Sequence, residues 1–123
     1  MVRERPARTR TRKLRSTHVS AARLRAMIEE ATVDCYDETE QVTGLFTMLD
    51  EHLAVPFETS MLGAVVRVER VELTRGGTIV AVCSRGAVRQ RIPILELPLP
   101  SPPPAGAGWI AAYRRWTGER SAR

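Results

Sequence analysis

The chain has 123 residues, a formal net charge of +5 and 43% hydrophobic residues. This is one domain's worth of protein, large enough to bury a core without a disulfide or metal staple. Apolar runs such as Met61–Val66 fall far short of the roughly 20 residues that span a bilayer, which argues against a membrane protein. The arginine-rich start lacks the apolar stretch of a secretory signal.

The net charge conceals segregation. Residues 1–25 carry +8, residues 26–60 carry −9 with no Lys or Arg, and residues 61–123 carry +6. Each block must therefore be read separately. Residues 1–19 have high charge and no apolar periodicity, and read as a disordered basic arm. Its arginines, with Arg85, Arg89 and Arg91, offer non-specific contacts to nucleic acid. Arginine stands almost wherever lysine could, which suggests a GC-rich genome. Met27 is a candidate alternative start.

A single domain is expected over residues 20–118, with a short tail over 119–123. Ser20 is placed to N-cap a first helix running to about Thr32, with Ala22, Met27, Ile28 and Ala31 on its apolar side. Asp37 and Glu40 form a D-x-x-E capping pattern for a second helix. Val42, Leu45, Phe46, Leu49 and Leu53 then recur at helical spacing, and Pro56 closes the segment. The two helices are either separate or continuous through 33–36.

After Pro56 the period changes to that of strands. Phe57–Leu62 and Ala64–Leu73 are candidates, and a slip of phase near Glu69–Arg70 predicts a bulge. Gly76-Gly77 makes a turn into Thr78–Cys83, which is apolar on both faces as a central strand is. Arg85-Gly86 turns into Val88–Leu95, where Pro93 marks an edge or an end. Short strands joined by tight turns predict an antiparallel meander curling into a small SH3-like barrel. Pro98–Pro104 reads as a polyproline strap. Trp109, Ile110, Tyr113 and Trp116 mark one face of a C-terminal helix docked on the rest by aromatic anchors. The fold class is thus α+β: N-terminal helices, a small barrel or meander, and a C-terminal helix.

Function is sought first in the acidic block. Calcium takes six to eight oxygens, largely from carboxylates. Asp34, Asp37, Glu38, Glu40, Asp50 and Glu51 supply them in a segment free of competing cations. The EF-hand pattern is absent, because Tyr36 and Thr39 stand where a ligand and the turn glycine belong. His18 and His52 lack the neighbours that zinc needs. Cys35 and Cys83 are isolated and read as reduced structural thiols of a cytoplasmic protein. No nucleophile-base set or phosphate loop suggests an enzyme.

The run Asp34-Cys35-Tyr36-Asp37-Glu38, then Glu40, Gly44, Phe46, Leu49-Asp50-Glu51, Leu53 and Pro56-Phe57, resembles the small calcium-binding protein family typified by cyanobacterial CcbP. The likeness extends over residues 28–97. It implies a monomeric helix-plus-barrel domain that buffers or senses calcium, with Asp34, Asp37 and Glu38 as leading ligands. The alternative is a metal-independent barrel module that binds nucleic acid or protein.

Overall fold

The computed structural model describes residues 19–121. The order is helix α1 (Ala21–Ala31), helix α2 (Glu38–His52), strands β1 (Phe57–Met61), β2 (Ala64–Leu73), β3 (Ile79–Arg85) and β4 (Val88–Pro93), a 3-10 turn (Ile94–Glu96) and helix α3 (Gly108–Ser121). Expectations for the basic arm up to residue 18 lie outside the described residues. Val19, assigned to that arm, packs against the core instead. At the other end α3 runs on to Ser121, past the expected boundary at 118.

Local chemistry sets both helix starts. The Ser20 hydroxyl accepts from the Arg23 amide at 3.1 Å. Asp37 Oδ1 accepts from the Glu40 amide at 2.8 Å, and Glu40 reaches back to accept from the Tyr36 amide at 2.6 Å. Two otherwise orphaned donors are satisfied. The helices are separate: Thr32 caps α1, and Asp34 takes a left-handed turn at φ 64°. Gly44 stands where they cross, and a Cβ there would overlap the Ala31 carbonyl. The apolar face of α1 uses Leu24 with Met27, Ile28 and Ala31, while Ala22 is exposed.

The four strands form one antiparallel sheet in the order β1-β2-β3-β4. The expected bulge falls between Val68 and Arg70, and β4 stops at Pro93. The expected closure into a barrel does not occur among the described strands, since β1 and β4 are both edges of an open sheet. The physical reason is that helices cover part of the inner face in place of a curled sheet. Leu45 and Leu49 from α2 and Leu53 just after it share one core with Val68, Val71, Ile79, Ala81 and Cys83, joined by Ile94, Trp109, Ile110 and Tyr113.

The helices gather toward the β2–β3 turn, where Tyr113 Oη accepts from the Ile79 amide at 3.3 Å. Trp116 Nε1 donates to Gln41 Oε1 at 2.9 Å, tying α3 to α2. The proline strap runs back past β1, and the buried Thr59 hydroxyl donates to the Pro98 carbonyl at 2.6 Å.

Candidate functional site

The six acidic candidates do not converge. Asp37 and Glu40 are engaged at the start of α2, and Glu38 is ion-paired with Arg120 from α3. Asp34 is exposed in the turn between α1 and α2. Asp50 and Glu51 are exposed in the last turn of α2. At 1.5 Å of rise per residue they lie about 18 Å along the axis from Glu38, too far to share an ion. Among the described residues no three Asp, Glu, His or Cys side chains stand together so as to hold a metal. A helix continuous through 33–36 would place Glu30, Asp34, Asp37 and Glu38 on one face, but the chain breaks after Ala31 and that face does not form.

The sheet presents a different feature. Cross-strand partners share a face. Val80 and Val82 are buried yet lie apart from the helix-covered core, so they belong to the outer face. Val82 is opposite Arg70 and Arg91, and Val80 opposite Glu72. The long charged side chains roof the two valines with their aliphatic stems. Glu72 receives Arg91 Nε at 2.8 Å and Arg70 Nε at 3.0 Å, while Arg89 Nε stands 3.3 Å from Glu69.

These contacts shift the carboxyls. The Ser84 hydrogen bond, then Arg89, Arg70 and Arg67, holds Glu69 below the ordinary glutamate range. Arg91, then Arg70, does the same for Glu72. A lowered folded-state pKa stabilises above the ordinary value, and that stabilisation fades as pH falls through the lowered one. Carboxyl NMR titration of Arg91→Gln is expected to return Glu72 toward the ordinary value, leaving Glu69 less changed. High salt should shrink the wild-type shift, since the pairs are exposed.

The inner face continues beyond the helices. In the observed register Val88, Gln90 and Ile92 of β4 share it with Cys83 and Ala81, and Met61 and Ala64 lie at the same end. There the sheet floors a groove of about 1020 Å³ whose apolar lining comes from Met61, Ala64, Val66, Val88 and Ile92, with Arg85, Arg91 and Glu96 also beside it. Val88 is 65% exposed, and Leu62 in the adjoining turn projects fully into solvent. No other described strand pairs with the outer edge of β4.

No family model, no characterised protein and no solved structure matches the chain. The motif likeness to the CcbP-type family therefore stands on its residues alone. The groove was missed in the sequence, although alternation of Val88, Gln90 and Ile92 with arginines was visible. Alternation told that one face is apolar. It could not tell that the helices stop short of it.

Proposed function

We propose that the protein is a non-catalytic binding module that docks an extended polypeptide segment along β4. The observation that carries this reading is the coincidence of an unpaired strand edge with an uncovered apolar groove beside it. A strand added there would gain main-chain hydrogen bonds from β4 and place alternate side chains in the groove. A protein ligand is favoured over nucleic acid because two of the three arginines of β3 and β4, Arg89 and Arg91, are already paired with Glu69 and Glu72, which leaves Arg85 beside the groove. The groove also lacks an aromatic side chain on which a base could stack.

Selection of random peptides against the full chain tests the reading. The expected winners carry apolar residues at alternate positions, and their binding should fall about tenfold or more with Val88→Glu, which buries a charge on docking. Failure to select any such peptide, or equal binding to the variant, would sink it.

The calcium reading draws on the composition of residues 29–51 and on the motif likeness, without a convergent site among the described residues. A bound site at 100 times its dissociation constant would add about 2.7 kcal/mol of stability. We expect thermal unfolding to show no such gain. Asp37→Ala should cost about 1 kcal/mol through loss of the helix cap, equally with and without calcium. A calcium-dependent difference between wild type and variant would restore the metal assignment.

A further inference from the structure

We propose that the segment docked on β4 is β4 of a second copy, so that two chains join their sheets into one of eight strands about a two-fold axis. The inference rests on the strand-adding surface proposed above and names its partner. It departs from the monomer implied by the family likeness.

The argument begins with the edge itself. Residues 88–92 read Val-Arg-Gln-Arg-Ile, a pattern symmetric about Gln90. In an antiparallel pair centred on Gln90, Val88 faces Ile92 of the second copy, Gln90 faces its own counterpart, and Ile92 faces Val88. All three lie on the inner face in the observed register. The half-exposed apolar side chains thus meet apolar ones, and the two grooves merge into one trough. Directly opposed apolar pairs stabilise a sheet, and a central Gln pair can exchange amide hydrogen bonds.

On the outer face Arg89 meets Arg91 of the second copy. That repulsion is offset locally, because each copy brings Glu69 and Glu72 to these same arginines. Pro93 donates no hydrogen bond and so limits the pairing to about the five residues before it.

Edge protection is uneven. The strap of Pro98, Leu99 and Pro100 lies along β1 at Glu58, Thr59 and Ser60, and prolines offer no amide to a further strand. On the β4 side the apolar inner residues carry no such guard. Two copies joined through β4 leave only their guarded β1 edges outward. The assembly therefore closes at two and does not grow into a filament.

Sedimentation of the full chain across micromolar to millimolar concentration is the first test. The expected result is a reversible shift from 13.7 kDa to twice that mass. Val88→Glu should raise the dimer dissociation constant about tenfold or more without lowering the monomer's melting temperature. Register is tested by crosslinking. Opposed antiparallel Cα atoms lie about 4.5–5.5 Å apart, within disulfide reach. Because Cys83 lies directly opposite Gln90 within the chain, both native cysteines are removed: Gln90→Cys in a Cys35→Ser, Cys83→Ala background should oxidise to a covalent dimer, whereas Arg91→Cys in that background, facing Arg89 of the other copy, should do so far more slowly.

A chain that stays at single mass throughout overturns the inference, as does a dimer indifferent to Val88→Glu or one crosslinked equally at 90 and 91. If that single-mass chain still binds selected peptides along β4, self-pairing fails and the docking surface stands. If it binds none, both fail.

Discussion

Gly106→Ala is expected to be among the most damaging single-methyl changes in this protein, costing about 3–4 kcal/mol as left-handed strain adds to overpacking. Gly106 has φ 86°, and a Cβ there would overlap the His52 carbonyl and lie 2.8 Å from Leu53 Cα. Neither obstacle is a flexible side-chain end, so backbone must move. What would move matters. The neighbouring Ala105 carbonyl accepts from the Ala54 amide at 2.8 Å, and the Gly106 carbonyl accepts from the Trp109 amide at 3.0 Å at the start of α3. Trp109 in turn stacks on His52, with ring centroids 6.0 Å apart. The substitution thus pries α3 from the end of α2. Thermal unfolding should show a loss of more than about 12 °C, since each kcal/mol moves a domain of this size by about 4–8 °C. Gly77→Ala is the control: φ there is 88°, but nothing lies within 4 Å of the added carbon, so only the strain of about 1–2 kcal/mol is felt. Equal losses in the two variants would show that the contact between strap and α2 is not what Gly106 serves.

Leu49→Ala is expected to cost a comparable amount, about 3–4 kcal/mol, from lost transfer energy plus the cavity left behind. Leu49 is 0% exposed and sits in the core shared by α2, the inner face of the sheet and α3. A site enclosed by three elements cannot collapse as readily as one near the surface, which puts the cost toward the middle of the usual range. The measurement is the urea midpoint with its slope unchanged. Met48→Ala, at a half-buried neighbour packed only against the core's margin, should lose markedly less. If Met48→Ala matched it, the core would not be centred where Leu49 lies.

Much of the fold was legible because its causes are local. Ser20 and Asp37 cap helices by reaching amides three residues on, and a sequence window contains both partners. The strand boundaries of β2, the bulge after Val68 and the end of β4 at Pro93 follow from period, phase and a missing amide. Burial of Trp109, Ile110 and Tyr113 followed from helical spacing. The phase of α1 was read less well. Ala22 was counted on the apolar side, yet it is exposed and Leu24 packs inward, because alanine is too small to declare a side.

The candidate site was legible only in its ingredients. A carboxylate's identity is in the sequence, but its partner need not be. Glu38 is taken by Arg120, far along the chain, and Glu40 is turned back on Tyr36 by helix geometry. Composition therefore overstated the acidic segment as a ligand set. The same limit hid the groove from view, since Arg89 and Arg91 read as available cations until their register with Glu69 and Glu72 was known.

By itself, the sequence determined the α+β order of elements, their caps and turns, the apolar character of β3 on both faces and the segregation of charge. Each of these is written in spacings of a few residues, where backbone geometry leaves little choice. Only the tertiary structure decided that the sheet stays open, that helices cover one end of its inner face and leave the other bare, and that the proline strap guards β1 while β4 is left unpaired. Those outcomes depend on how far packed helices reach across a sheet. That distance is set by the meeting of residues many tens of positions apart, and no local pattern encodes it.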